Sequence, residues 1–264
     1  MTTRTTIQPR YLFPHGAPQE KARLKLMSVM LDPHTLFRIE ELGLAPGWRC
    51  LEIGAGNGSV SRALCERVGE RGRVVAVDLE TELITAGAPA NLEARRANIL
   101  DTAFEEGAYD LVYTRAVLHH LPQWRQALQR MAAALRPGGA MLVQEPDMHP
   151  TEAAESGDWR AFWMGFFAWG GERGVDYRLG RKVPPALREL GFEEVRNFGE
   201  TVHFAGGSDP AEFYRLSMAR IRDELVASGH VSNVLFERFV ALLADPGHWG
   251  MNISFMAASG RKPR

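Results

Sequence analysis

From residue 49 to about 145 the chain repeats one unit: a short β-branched or apolar run, a turn, then a helical segment. The runs fall at 50–53, 74–77, 92–97, 109–113 and 140–144, and the helical stretches at 59–68, 81–88 and 123–135. Strands joined through helices must run parallel, and a parallel sheet needs helices over both faces. The α/β class follows from this rhythm. Arg136-Pro-Gly-Gly139 has the residues that end a helix before a new strand. Residues 1–46 lie outside the rhythm and read as two amphipathic helices, 19–31 and 35–42. Residues 150–181 interrupt it again, with Trp159, Phe162, Trp163 and Phe166 at helical spacing. Beyond Gly191 the pattern gives a strand at 194–198 extending toward 204, helices at 209–228 and 232–244, and a last strand at 251–257. The expectation is one domain over 1–264, with a core at 48–145, an N-terminal helical lid at 1–46, and helical caps at 150–181 and 209–245.

Composition narrows the function classes. The 264 residues are 45% hydrophobic and 24% charged, which excludes a fibrous or extensively disordered chain. The 31 Lys and Arg residues balance 32 Asp and Glu, so no global field draws in nucleic acid or an anionic membrane. The aromatic stretch 159–169 is broken by Arg160 and Gly165, and is far shorter than the roughly 20 apolar residues of a spanning helix. The first ten residues hold no apolar secretory core, and Cys50 and Cys65 read as free buried thiols. A cytoplasmic protein with a small-molecule partner, no nucleic-acid or membrane partner, no metal, and a monomeric or homodimeric state is expected.

The most informative residues are Leu51-Glu-Ile-Gly-Ala-Gly-Asn-Gly-Ser59, a strand entering three glycines and then a helix. Glycine admits positive φ and lets main chain approach a ligand where a Cβ would clash. The helix behind it offers free N–H groups and the positive end of its dipole. Asp78 closes the second strand, 20 residues beyond Gly58. A carboxylate at that place accepts hydrogen bonds from a ribose diol. A dinucleotide fingerprint spaces its glycines Gly-x-Gly-x-x-Gly; here the spacing is Gly-x-Gly-x-Gly, and no P-loop lysine follows.

With these residues the chain resembles the class I S-adenosylmethionine-dependent methyltransferases, of the bacterial small-molecule type. The resemblance runs through Asp78, Arg96-Ala-Asn98-Ile-Leu-Asp101, the segment from Tyr109 through Thr114, Arg115, His119 and His120 to Leu121, and Leu135-Arg-Pro-Gly-Gly-Ala140 onward to Glu145. It implies a Rossmann-like, doubly wound, seven-stranded sheet, mostly parallel with an antiparallel last strand. It implies S-adenosylmethionine as cofactor and S-adenosylhomocysteine as product. Glu52 would receive the cofactor's ammonium, directly or through water. Gly54, Ala55 and Gly56 would line its backbone path, Asp78 would hold the ribose, and Leu79 would pack beside adenine. Asn98 stands where the family often has Asp and would meet the adenine amino group, with Ile99 reading the ring. Arg115 would lie near the methionine end, and Tyr11 and Gln19 would fold over the cofactor.

Methyl transfer from a sulfonium demands positioning, exclusion of water and, for some acceptors, removal of a proton. His119 and His120 follow the fourth strand, and Glu145, Asp147 and His149 close the fifth, at the sheet edge where such folds hold ligands. His119, His149 and Glu145 are the catalytic candidates, since a histidine near its ordinary pKa removes a proton from a hydroxyl or amine. Local capping and an ordinary polar loop are the plain alternatives. The same site on a non-methylating or cyclase-type protein, and an NAD-dependent oxidoreductase, are the competing readings.

Overall fold

The computed structural model describes residues 19–153, 157–201, 203–251 and 253–264. Helix α1 (Glu20–Glu41) leads into β1 (Arg49–Ile53), α2 (Ser59–Val68), β2 (Arg73–Asp78), the single turn α3 (Glu82–Thr85) and β3 (Leu92–Arg96). Then come β4 (Tyr109–Arg115), α4 (Trp124–Ala134), β5 (Leu135–Asp147), the short α5 (His149–Glu152) and the aromatic α6 (Gly157–Glu172). The chain closes with α7 (Val183–Glu189), β6 (Glu193–Glu200), β7 (His203–Ala205), α8 (Asp209–Ala227), α9 (Asn233–Ala244), β8 (Trp249–Met251) and β9 (Ser254–Arg261).

Seven strands form one sheet in the order β3-β2-β1-β4-β5-β9-β6. β1, β2, β3, β4 and β5 pair in parallel, and β9 runs antiparallel to both β5 and β6. This is the seven-stranded arrangement that the resemblance implies. Alternate residues of the central strands feed two cores. Leu51, Ile53 and Val112 pack with Leu128 and Met131 of α4 on one face. Cys50 and Leu111 pack with Leu64 and Val68 of α2 on the other. Strands covered on both faces read as continuous apolar runs, which is why the sequence marks them so clearly. β6, one of the two edge strands, is exposed along most of its length; its Glu193, Glu194, Arg196 and Glu200 discourage pairing with another chain.

Three local expectations change. The N-terminal region is one helix, α1, with Pro33 inside it, rather than two. A proline removes one backbone bond and favours a break. Here contacts from the sheet span the lesion: Arg115 donates to Asp32 and to the Thr35 hydroxyl, and that hydroxyl also meets Gln144 at 2.7 Å. The strand at 194–198 ends at Glu200, and residues 203–205 join β8 in a separate two-stranded sheet. The last sheet strand accordingly lies later than expected, at Ser254–Arg261. The helix expected over 81–88 is only the turn α3.

The aromatic helix α6 does not lie flat on the sheet edge. Trp159, Phe162, Trp163 and Phe166 turn inward against α8 and α9 to build a second core. Phe162 stacks on Phe239 with ring centroids 3.6 Å apart and planes 4° from parallel. α8 also packs on α1. The two additions thus meet above the carboxyl ends of the strands.

Candidate active site

The sheet order reverses between β1 and β4, and the crevice beyond such a reversal is where open α/β sheets bind ligands. The glycine loop stands on its rim. Gly54 and Ala55 donate their N–H groups to the Val77 carbonyl at 2.8 and 3.1 Å, pinning the loop to the end of β2. Gly54 has φ +74°, and a Cβ there would fall 2.1 Å from Val117 Cγ2, so only glycine fits. Gly56, at φ +58°, donates its N–H to Asp78 Oδ2 at 2.8 Å. Asp78 is 8% exposed, and its other oxygen accepts the Glu80 N–H at 3.2 Å. The carboxylate expected to clasp a sugar therefore also shapes the loop beside it.

From this loop a cleft of about 1500 Å³, its open mouth included, runs under α1, α6 and α8. Gly54, Gly56, Asp78, Leu79, Asn98 and Ile99 line one end. Leu79 is 48% exposed, an apolar side chain presented at the surface of the cleft. Asn98 lines the cleft while its amide closes a local turn, accepting the Leu100 N–H at 3.0 Å and donating to Asp101 at 2.9 Å. Arg115 reaches the cleft wall, but its guanidinium is committed to Asp32 and Thr35 of α1. It fastens the leading helix to the sheet. Glu52 lies behind the loop rather than on the cleft wall, receiving the Ser61 hydroxyl. Burial pushes its carboxyl up to about 7, against the pull of that hydrogen bond. Ala55 is buried with Ala76 and Ile84 at the loop's back. Gln19 is exposed ahead of α1, and Tyr11 lies outside the described residues.

The other end of the cleft is apolar and aromatic, with Met148, Trp163, Phe166, Tyr177, Tyr214 and Phe255 on its walls. Between the two ends lies the loop after β4. Ala116 opens it at φ +56°, a conformation rare outside glycine and asparagine and found at ligand-holding turns. Glu145, fully buried near the end of β5, holds this loop. It accepts the N–H groups of Val117, Leu118 and His119 at 3.1, 2.8 and 3.2 Å, and its Oε2 lies 2.8 Å from His119 Nδ1. Burial favours the neutral form of each partner, pushing His119 down to about 3 and Glu145 up to about 7, the latter against its three backbone donors. His119 is on the cleft wall, and the His120 ring lies against it, tilted by 40°, with centroids 3.8 Å apart. When the carboxylate holds Nδ1–H, Nε2 is left as the ring's proton acceptor.

His149 corrects the expectation made for it. It is exposed at the start of α5 and away from the cleft wall. Asp147 turns the chain outward there, accepting the His149 N–H at 3.0 Å and pairing with Arg181 through both oxygens. The neighbouring cations are also occupied, Arg178 by Glu152 and Lys182 by Asp176. Among the described residues no group of three or more His, Cys, Asp or Glu side chains is placed to hold a metal, and no helix is long and apolar enough to cross a membrane. Tyr177 and Tyr214 were missed from the sequence because nothing in their local spacing separates a cleft wall from an ordinary core.

Residues 51–143 match the family model described as a methyltransferase domain. That stretch is a methyltransferase domain. The domain is 32% identical over 117 residues to the ubiquinone/menaquinone biosynthesis C-methyltransferase UbiE of Laribacter hongkongensis, a match covering 41% of this chain and 47% of that protein. The chain spans between 34% and 54% of the length of the curated relatives it matches. Among solved structures, the methyltransferase fold is shared with phosphoethanolamine N-methyltransferase 2 of Haemonchus contortus in complex with phosphomonomethylethanolamine and S-adenosylhomocysteine. The TM-score is 0.55 at 19% identity, covering 96% of this chain and 55% of that one. It is also shared with the 4+2 cyclase SpnF, at TM-score 0.51 and 17% identity over 88% of this chain and 80% of that one.

Proposed function

We propose that the protein transfers a methyl group from S-adenosylmethionine to a small, largely apolar acceptor. The observation that carries this reading is the continuity of one cleft, from the glycine loop and Asp78, past His119, into an aromatic chamber. The loop residues fit the cofactor: a backbone kept bare at Gly54 and Gly56, a buried carboxylate at Asp78 and an apolar shelf at Leu79. When bound, S-adenosylmethionine supplies an electrophilic methyl carbon and, displaced by the acceptor's lone pair, departs as the neutral thioether S-adenosylhomocysteine.

The chain's own part is placement and proton handling. Asp78 would hold the ribose, Leu79 would pack on adenine, and Asn98 and Ile99 would border the base. α1, α6 and α8 cap the acceptor end and exclude water. His119, held by Glu145, takes the acceptor's proton. The likeness to UbiE, a protein named for quinone biosynthesis, supports an acceptor of apolar character.

Calorimetry with S-adenosylhomocysteine tests the cofactor half. A single site is expected, with no competition from NADH. Leu79→Ser is expected to weaken binding about fivefold, from the loss of about 40 Å² of apolar contact at roughly 25 cal/mol per Å². Unchanged affinity would remove the adenine shelf, and NADH displacing the ligand would favour the oxidoreductase. Tight cofactor binding with no methyl transfer to any of a broad set of phenols, amines and thiols would favour the non-methylating reading.

A further inference from the structure

We infer that a second groove, outside the cofactor cleft, binds an uncharged apolar molecule through its carbonyl oxygen, which receives the side-chain amide of Gln144. The groove lies between α1 and the strands β5, β9 and β6, and nothing in the methyl-transfer reading uses it.

α1 packs on β5, and beyond that contact Phe198 of β6 stays exposed together with Val29 and Phe37 of α1. These side chains and the sheet beneath them line a groove of about 1550 Å³, its open mouth included. Single exposed apolar side chains are ordinary, but three around one concavity mark a binding surface. One register row crosses the floor. Arg115 of β4 is paired with Gln144 of β5, Gln144 with Ala257 of β9, and Ala257 with Phe198 of β6. Ala257 is the smallest of the four and leaves room beside the Gln144 amide.

That amide points to a ligand. Gln144 is 4% exposed, and its Oε1 accepts the Thr35 hydroxyl at 2.7 Å and the Tyr113 hydroxyl at 3.2 Å. Its Nε2 has no hydrogen-bond partner among the described residues. The nitrogen is not sealed in the core either: Gln144 lines the groove, and Nε2 is not one of the enclosed, unpaired side-chain atoms. Polar groups this deep are nearly always paired, and an NH₂ can only donate. An N–H donor opening on an apolar groove therefore calls for an acceptor oxygen from outside the chain.

The charges around the groove set the rest of the class, because each is already answered. Arg115 donates to Asp32 and Thr35, Arg38 pairs with Glu41 at 2.6 Å while lying 3.9 Å over the Phe198 ring, and His34 meets Glu200 at 2.6 Å. Asp209, in the first turn of α8, complements the positive end of that helix. A charged ligand would leave water without a free counter-ion on these walls, at high desolvation cost. A carbonyl brings the acceptor oxygen without that cost.

The test titrates the full chain with three fluorescent probes: the ketone propionyl(dimethylamino)naphthalene, its ketone-free parent dimethylaminonaphthalene, and the carboxylate dimethylaminonaphthoate. The ketone is expected to bind about tenfold more tightly than the parent, and the carboxylate most weakly. Beside the Arg115 guanidinium the new carboxyl of Gln144→Glu stays ionised, so it keeps an acceptor for Thr35 and Tyr113 but offers no donor. This variant is expected to lose the ketone's advantage. Phe198→Asp, on the exposed strand, is expected to weaken both uncharged probes by about fivefold or more and to leave S-adenosylhomocysteine affinity within about twofold. Binding in the aromatic end of the cofactor cleft would respond to neither substitution, since neither residue lies on its wall. The proposal is overturned if the ketone gains nothing over its parent, if Gln144→Glu leaves that gain intact, or if the carboxylate binds more tightly than the ketone. Should Gln144→Glu fail to fold, Phe198→Asp decides, and an unchanged ketone affinity there would remove the groove as a site.

Discussion

Replacing Asp78 by alanine is expected to weaken S-adenosylhomocysteine binding by about a hundredfold. Two effects combine. The buried carboxylate faces the cleft, where it would accept hydrogen bonds from both ribose hydroxyls, and charge-assisted bonds contribute about 1.5–3 kcal/mol each. It also accepts the N–H groups of Gly56 and Glu80, so its removal frees the loop from the end of β2. Water admitted into the gap recovers part of the loss, and a net of about 2.7 kcal/mol corresponds to a hundredfold. Asp78→Asn keeps one acceptor oxygen but lacks the charge, and is expected to fall between, at about tenfold. Calorimetry on the three proteins checks the series. Equal affinities would mean that the sugar lies elsewhere and that Asp78 serves only its own loop.

The half of the site built by local rules was legible in the sequence. A parallel strand buried on both faces must be an apolar run, and a turn that brings main chain to a ligand must be glycine, so β1, β2 and the Gly54–Gly56 bend announce themselves. Asp78 could be found because its distance from the glycines is set by the length of one helix and one strand. Features decided by contacts between distant residues were not legible. Pro33 reads as a helix break, and only Arg115 and Gln144, about a hundred residues away, reveal why α1 continues through it. His149 and His119 look equally plausible as bases. The difference lies in Asp147, which turns the chain outward at one, and Glu145, which holds the other's loop through three N–H groups. Tyr177 was invisible for the same reason. Its segment is tied to the loops after β4 and β5 by the Asp176 N–H, which donates to the His119 carbonyl, and by the Tyr177 carbonyl, which accepts the Met148 N–H.

His119→Ala is expected to lower the methyl-transfer rate by about 10²- to 10⁴-fold, the usual span for a lost general base, while S-adenosylhomocysteine affinity changes by less than about twofold. The pH dependence identifies the pair as the cause. The carboxyl of Glu145 is raised to about 7, and burial keeps the His119 ring neutral well below its ordinary range. Below pH 7 the protonated carboxyl donates to Nδ1, which places the ring's proton on Nε2 and leaves no base on the ring. Above pH 7 the carboxylate accepts Nδ1–H and Nε2 becomes a lone-pair acceptor. The proton count belongs to the pair, so activity should rise with pH through one apparent value near 7. Glu145→Gln removes the ionisation that drives this switch, so the rising limb should vanish. An amide NH₂ would also face a backbone donor that now meets an oxygen, costing about 1–3 kcal/mol of stability. Rate profiles between pH 5.5 and 9, with thermal unfolding of both variants as the structural control, decide the matter. A wild-type profile flat across pH 7, or a limb that survives Glu145→Gln, would show that proton removal does not run through this pair. Methylation would then have to proceed on an acceptor that arrives already deprotonated.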